Sequence, residues 1–144
     1  MIGLKKSKIE DLAGLLKQKG MYVTKQRLHV LKLLVNARGA HMSADEIYRE
    51  LVKKGVKISR PSVFNIVRAF QEHGVIDEIE IAGVKRFDAV TDGHPHFICT
   101  RCGEIYDLPT DTIVINYDMI PHKVEKQEIK LKGICQKCLK KKKT

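Results

Sequence analysis

The sequence predicts an α+β protein in which a winged helix-turn-helix domain precedes a small α/β domain. Apolar residues recur at helical spacing through four segments of the first half, and an alternating segment typical of a β-hairpin follows them. All four cysteines fall in the second half, as two Cys-x-x-Cys pairs. We place the domains at 1–88 and 94–144, with a hinge at 89–93 and a disordered, lysine-rich tail at 139–144.

The first two helical segments carry clear start and stop signals. The segment "SKIEDLAGLLKQKG" opens with the capping box Ser7-x-x-Glu10 and closes on Gly20. The segment "TKQRLHVLKLLVNARG" begins at the cap residue Thr24 and stops near Gly39. Both present a stripe of leucines at helical spacing, so both predict amphipathic helices that bury one face.

The next two helical segments are close enough together to form a helix-turn-helix. The segment "SADEIYRELVKKG" has the capping box Ser43-x-x-Glu46, and "SRPSVFNIVRAFQEHG" has Ser59 as its cap and Pro61 in the first turn. Only "GVKI" separates them, which is the short connection that this motif requires. The fourth helix is therefore the predicted recognition helix.

A hairpin and an excess of positive charge favour DNA binding by this first domain. The segment "VIDEIEIAGVKRFDAV" alternates apolar and polar residues around Ala82-Gly83 and predicts the wing. Residues 1–90 carry 17 Lys+Arg against 10 Asp+Glu, which favours a polyanionic partner. A plain helical bundle with solvated charges is the alternative. The candidate DNA contacts are Arg27, Arg60, Ser62, Phe64, Asn65 and Arg68.

The second half reads as short strands. "HFICT", "EIYDL" and "KVEKQEIKLKGIC" favour strands, and "TDTIVINYDMI" predicts a short helix that begins at Asp111 and Thr112. No apolar run in the chain approaches the roughly 20 residues that span a membrane. The first residues contain no apolar core of a signal peptide. We therefore expect a cytoplasmic protein with no membrane partner.

The two cysteine pairs predict a structural zinc ion. A reducing cytoplasm disfavours disulfides, and paired Cys-x-x-Cys motifs are typical of four thiolates around one tetrahedral ion. The pairs are 32 residues apart, so the second pair must return from a separate segment and staple it to the first. Four ordinary buried cysteines are the alternative, which the regular spacing disfavours. The ligands would be Cys99, Cys102, Cys135 and Cys138.

A second metal site is predicted beside the first. His94 and His96 are two residues apart on a predicted strand, so their side chains share a face, whereas Cys99 has the opposite parity. Asp107, on the returning strand, could come back beside them. Imidazole and carboxylate donors suit iron, manganese or zinc. Asp88 and His41 are weaker candidates by spacing, because a lone Asp or His is usually a cap or a surface group.

These motifs together resemble the ferric uptake regulator family of metal-dependent repressors, over nearly the whole chain. The matching pieces, in order, are "TKQRLHVLKLL", "HMSADEIYREL", "ISRPSVFNIVRAFQEHGVI", "KRFDAV", "HPHFICTRCGEIYDL" and "GICQKC". The resemblance implies a homodimer whose second domain dimerises and whose first domain binds a palindromic, AT-rich operator in double-stranded DNA. It also implies a regulatory metal ion, Fe(II) or Mn(II), on His41, Asp88, His94, His96 and Asp107, next to the Zn(II) of the cysteines.

Several residues resemble the peroxide-sensing branch of this family. Asp107 stands where iron-sensing relatives more often have Glu, Lys126 and Gln127 stand where relatives often have histidine, and Asn65 also matches that branch. The resemblance then implies that peroxide oxidises His41 or His94 when Fe(II) is bound, and that the protein leaves DNA. Where the family commonly has Thr-Val-Tyr, this chain has the motif "SVF" at 62–64, which changes one expected DNA contact.

Other functions remain open at this point. An iron, zinc or manganese uptake regulator of the same family is the nearest alternative. Two histidines with a carboxylate also resemble the iron site of non-haem oxygenases, although the candidate ligands span a hinge and leave little chain for a substrate pocket. A zinc-stapled module that binds RNA or protein would use only the cysteines. The expectation is a regulator and not an enzyme.

Overall fold

The computed structural model describes residues 9–37, 40–89 and 94–141 of the chain. The chain divides into two units, residues 1–91 and 92–144, which we call the N-terminal and C-terminal units. Residues 90–93 of the predicted hinge and the predicted cap Ser7 lie outside the described residues. Within the described ranges, no helix is both long and apolar enough to cross a membrane.

The N-terminal unit contains the four predicted helices in the predicted order. They are α1 (Ile9–Gln18), α2 (Lys25–Asn36), α3 (Ala44–Lys53) and α4 (Arg60–Glu72). Helices α3 and α4 pack against each other and are joined by residues 54–59, which gives the helix-turn-helix. The turn contains Gly55 at φ +85°, a backbone conformation that glycine adopts without strain.

Side-chain caps fix where three of these helices begin. Thr24 Oγ1 accepts a hydrogen bond from the Arg27 N–H at 3.1 Å. Ser43 Oγ accepts from the Glu46 N–H at 3.2 Å, while Glu46 Oε1 accepts from the Ser43 N–H at 2.9 Å. Ser59 caps α4 in the same way. Each cap satisfies backbone donors that the helix itself leaves open, so all three predicted starts are confirmed.

The predicted wing is a three-stranded sheet. Strand β1 (Met42–Ser43) was not predicted and precedes α3; β2 (Asp77–Ile81) and β3 (Val84–Asp88) form the predicted hairpin. The strand order is β1-β3-β2, and both pairings are antiparallel. Ala82 and Gly83 close the hairpin with φ of 54° and 81°, as expected of a two-residue turn that matches strand twist.

One apolar core holds the N-terminal unit together. The predicted inward faces of the helices meet the buried residues of the wing in a single cluster. Its largest fully buried side chains are Leu12, Leu16, Leu31, Leu34, Ile47, Leu51, Phe70 and Ile76. Burying a side chain of this size contributes roughly 1.5–3 kcal/mol. This core keeps the outer face of α4 at the surface.

The C-terminal unit is a small sheet with one short helix. Its elements are β4 (His96–Cys99), β5 (Ile105–Asp107), β6 (Lys130–Gly133) and α5 (Gln136–Lys140). The order is β5-β4-β6, with β4 antiparallel to β5 and parallel to β6. The three predicted strands are present, but the third is limited to its last residues. Leu139 and Lys140 are helical instead of belonging to the tail, and residues 142–144 lie outside the described ranges.

The predicted helix in "TDTIVINYDMI" is wrong. Two 3₁₀ turns, Thr110–Thr112 and Tyr117–Met119, replace it. The run from Thr112 to Ile115 is β-branched, which lowers helix propensity. Asn116 then accepts a hydrogen bond from the Asp118 N–H at 3.0 Å, and this local bond competes with a continued helix.

Candidate metal centres and DNA-binding helix

Four cysteine sulfurs meet in the C-terminal unit. Cys99 ends β4, Cys102 follows in the turn, Cys135 directly precedes α5, and Cys138 lies within α5. The Sγ atoms of Cys99 and Cys138 are 3.8 Å apart, as are those of Cys102 and Cys135. All four sulfurs lie within 4.8 Å of one another. The parallel pairing of β4 with β6 brings the second pair back to the first.

These sulfur distances fit a tetrahedral metal ion. A disulfide would require about 2.05 Å between two sulfurs, so all four cysteines are free thiols. Four sulfurs placed tetrahedrally, each about 2.3 Å from zinc, are about 3.8 Å apart. The observed separations of 3.8 Å match this value. The four cysteines could therefore hold a structural zinc ion.

Local hydrogen bonds favour a thiolate at Cys99. Its sulfur accepts from the backbone N–H groups of Cys102 at 3.4 Å, Cys135 at 3.3 Å and Arg101 at 3.4 Å. These bonds, with that of Cys102 the largest effect, lower the pKa of Cys99 to about 6. Burial raises the pKa of Cys138 to about 12. A divalent cation would offset the cost of burying a charged thiolate at Cys138, so metal binding would favour loss of that proton.

Two histidines and an aspartate meet beside the β4–β5 pair, and His94, predicted on this strand, lies two residues before β4 begins. Asp107 pairs with His96 in the β4–β5 ladder, and its Oδ1 lies 3.4 Å from His96 Nε2 and 3.2 Å from His94 Nε2. The two imidazole rings are 4.5 Å apart between centroids. Donors at right angles, each about 2.1 Å from an ion, are about 3 Å apart. The distance from Asp107 Oδ1 to each imidazole nitrogen therefore fits two neighbouring donors of one metal ion.

The N-terminal unit holds the other two candidate ligands next to each other. His41 Nδ1 lies 3.8 Å from Asp88 Oδ2, and both residues are buried, at 2% and 3% exposure. Asp88 ends β3, and His41 directly precedes β1, the strand that pairs with β3. The φ of His41 is 50°, in the left-handed region that residues other than glycine rarely adopt. Sheet pairing thus brings together two residues 47 positions apart.

The recognition helix presents part of the predicted DNA-contact set at the surface. Phe64, Asn65 and Arg68 lie on the exposed face of α4, while Val63, Ile66 and Val67 face the core. The remaining candidates have partners within the unit. Ser62 Oγ accepts a hydrogen bond from Ser59 Oγ at 2.9 Å. This face combines cationic, amide and aromatic side chains, which is the chemistry that reads base edges and phosphates.

The two other arginines of the predicted set are held by neighbouring groups. The Arg60 guanidinium forms an ion pair with Asp45 and lies over the ring of Tyr48, 5.1 Å from its centroid. Arg27 Nη1 donates to the Tyr22 carbonyl at 2.8 Å. Both arginines are therefore oriented by contacts within the N-terminal unit.

Two residues near the candidate sites were missed by the sequence reasoning. Arg86 bonds the backbone of His41, and only the unpredicted strand β1 reveals that the two are neighbours. The Tyr106 hydroxyl, buried beside Cys135, lowers the pKa of that thiol. Tyr106 lies within β5, directly before Asp107, and an aromatic residue in a strand is usually a core residue, so its position in the sequence carried no signal.

Comparisons with known proteins agree with this geometry. A family model described as the ferric uptake regulator family matches residues 18–135. A peroxide operon regulator of Bacillus subtilis (strain 168) is 35% identical over 138 residues, which cover 92% of this chain and 94% of that protein.

Solved structures share the fold. The Vibrio cholerae ferric uptake regulator has a TM-score of 0.69 and 25% identity, with 87% of this chain and 100% of that chain covered. A Campylobacter jejuni peroxide stress regulator has a TM-score of 0.66 and 26% identity, with 92% and 99% covered. The relatives are described as regulators and not as enzymes. The chain belongs to the ferric uptake regulator family of metal-dependent, DNA-binding transcriptional repressors.

Proposed function

We propose that this protein is a cytoplasmic repressor that senses peroxide through a regulatory metal ion and binds a palindromic, AT-rich operator as a homodimer. The carrying observation is the convergence of Asp107 Oδ1 with His94 Nε2 and His96 Nε2, at 3.2 and 3.4 Å. The peroxide assignment is supported by the 35% identity to a peroxide operon regulator, and by an aspartate at position 107.

The proposed ion has ligands from both units. Two of them, His41 and Asp88, are neighbours in the N-terminal unit, and the other three lie together in the C-terminal unit. The assignment to one ion is carried over from the family by position. Nitrogen and carboxylate donors suit iron, manganese or zinc, and the family resemblance favours Fe(II) or Mn(II) among these, while the four thiolates favour Zn(II).

Metal binding would then control DNA binding through the arrangement of the two units. An ion that needs ligands from both units favours those arrangements in which the ligands meet, and a dimer in such a state can present two recognition helices to two half-sites. Converting a mostly inactive population into a mostly active one requires about 5.5 kcal/mol of differential metal affinity. Five metal–ligand bonds are enough to provide a difference in metal affinity of this size.

Peroxide sensing would follow from the ligand histidines. Fe(II), when bound, supplies the one-electron chemistry that cleaves the O–O bond of H₂O₂. In the net reaction one peroxide oxygen is inserted into an imidazole C–H bond of His41 or His94, and the other leaves as water. An oxidised imidazole would be a weaker ligand, so oxidation of His41 or His94 would weaken the site and relieve repression. Mn(II), which is harder to oxidise, would support repression without this sensitivity.

The experiment compares operator binding by the Fe(II) and Mn(II) forms before and after low peroxide, without oxygen, with mass spectrometry of the His41 and His94 peptides. The proposal requires loss of binding only in the iron form, with a gain of one oxygen atom on a histidine. Metal-dependent binding that survives peroxide would identify a metal-uptake regulator instead. DNA binding that no metal changes would refute the regulatory site altogether.

A further inference from the structure

We propose that Arg86 is a positioning residue that sets the geometry of His41, and that it thereby tunes the affinity of the regulatory metal site; this inference rests on the proposed function. Arg86 Nη1 donates to the His41 carbonyl oxygen at 3.1 Å and to Glu46 Oε1 at 3.1 Å. Arg86 lies on β3, 45 residues away from His41 in the chain.

The bond to the His41 carbonyl lies at a residue whose backbone conformation is strained. His41 has φ 50°, and a β-carbon in this region meets its own backbone. Such a conformation persists only where surrounding contacts hold it. The Arg86 guanidinium provides one contact, and pairing of the next residue, Met42, with Phe87 of β3 provides another.

Arg86 and Asp88 act on His41 from the same side of the strand. They are two positions apart on β3, so their side chains share a face. Arg86 bonds the His41 carbonyl, and Asp88 Oδ2 lies 3.8 Å from His41 Nδ1. One strand face therefore bonds the backbone carbonyl of His41 and places a carboxylate near its imidazole.

Glu46 anchors the arrangement to helix α3. Its Oε1 accepts from Arg86 Nη1 and also from the Ser43 N–H, as part of the α3 capping box. Arg86 is thus held by a carboxylate that is itself fixed by the helix start, and a positioned guanidinium loses less freedom than a mobile one. Helix cap, arginine and His41 form one continuous hydrogen-bonded unit.

The first test needs no regulatory metal. In the zinc-loaded full-length protein, Arg86→Met should raise the rate at which diethylpyrocarbonate modifies His41 several-fold, read by mass spectrometry, because His41 is now buried at 2% exposure. Arg86→Lys, which keeps a donor, should restore part of the protection. Lys85→Met is the matched control, since Lys85 is the next residue on β3 and pairs with Glu78 at 3.9 Å.

The second test measures Mn(II) affinity of the same proteins. Arg86→Met should weaken binding about tenfold, the loss typical of a residue that supports a metal ligand, with Arg86→Lys between it and the wild type. Glu46→Gln should also weaken Mn(II) binding, and this variant replaces Arg86→Met in the test if Arg86→Met does not fold. Wild-type modification rates and Mn(II) affinities in the variants would overturn the inference. A wild type that binds no Mn(II) would overturn the proposed function, while the modification rates still decide the role of Arg86.

Discussion

Asp107 faces His96 directly across the β4–β5 ladder, with its Oδ1 3.4 Å from the imidazole Nε2. The same oxygen is 3.2 Å from His94 Nε2, so one carboxylate joins both histidines. His94 lies two residues before His96, the first residue of β4, and the antiparallel register places Asp107 opposite His96. This relationship makes Asp107 the most informative position for testing the regulatory site.

We expect Asp107→Asn to weaken Mn(II) binding by at least about tenfold, because even a group that only supports a ligand changes metal affinity by about 10–100-fold. Isothermal titration of zinc-loaded protein measures this directly. Asp111→Asn, at an exposed aspartate in the following 3₁₀ turn, is the control and should bind as the wild type does. Equal affinity in Asp107→Asn and the wild type would remove this carboxylate from the site.

The zinc site should carry much of the stability of the C-terminal unit. The buried cluster around it consists of Cys99, Cys135 and Cys138, with only a few partly buried neighbours. An apolar cluster this small adds little to the free energy of folding. Zinc binding, in contrast, supplies about 10–16 kcal/mol of it in zinc-finger peptides. Cys138→Ser is therefore expected to lose zinc and to loosen this unit.

Hydrogen exchange and zinc content test this expectation together. In Cys138→Ser, protection should fall in peptides that cover 96–107 and stay unchanged in peptides that cover 44–72, because the N-terminal unit has its own core. Leu139→Ser, at the exposed neighbouring position of α5, is the control and should retain one zinc per chain. Full protection without zinc would show that the thiols are only core residues.

Much of the fold was predictable because local signals and packing agree. Ser43 and Glu46 could be identified as a capping box from their spacing alone. Two Cys-x-x-Cys pairs in one chain likewise predicted that the four cysteines meet at one site. What sequence could not supply was pairing between distant segments. The two-residue strand β1 has no periodicity to detect, yet it brings His41 to Asp88. Likewise, the ion pair that occupies Arg60 depends on how α3 and α4 pack.

Asp45 should limit the contribution of Arg60 to DNA binding. The carboxylate holds the guanidinium, which also lies over Tyr48, and would compete with a DNA phosphate for it. We expect Asp45→Asn to bind duplex DNA of arbitrary sequence a few-fold more tightly at low salt. The slope of log affinity against log salt should steepen by about one, as for one added phosphate contact.

Fluorescence anisotropy over a salt series measures both quantities. Asp11→Asn is the matched control, because Asp11 also lies in the first turn of a helix of the same unit and changes the net charge equally. If the two variants gain the same affinity, the effect is one of net charge alone and the competition by Asp45 is refuted.

The C-terminal unit exposes apolar side chains that homodimerisation would cover. Val114 is 87% exposed and Met119 is 78% exposed, in the segment that connects β5 to β6. Side chains of this kind are rarely left together at the surface of a monomer and usually mark an interaction site. The family forms homodimers, so we expect this segment to lie in the interface between two copies.

A charge in this segment should therefore dissociate the dimer. We expect Val114→Asp and Met119→Asp each to weaken self-association by tenfold or more, since an interface that buries an unpaired carboxylate loses at least about 1.4 kcal/mol. Sedimentation velocity over a dilution series measures the monomer–dimer equilibrium, and zinc content reports that the unit remains folded. Val84→Asp, at an exposed valine of the wing, is the control and should leave the dimer intact. Wild-type association in both Val114→Asp and Met119→Asp would place the interface elsewhere on the chain.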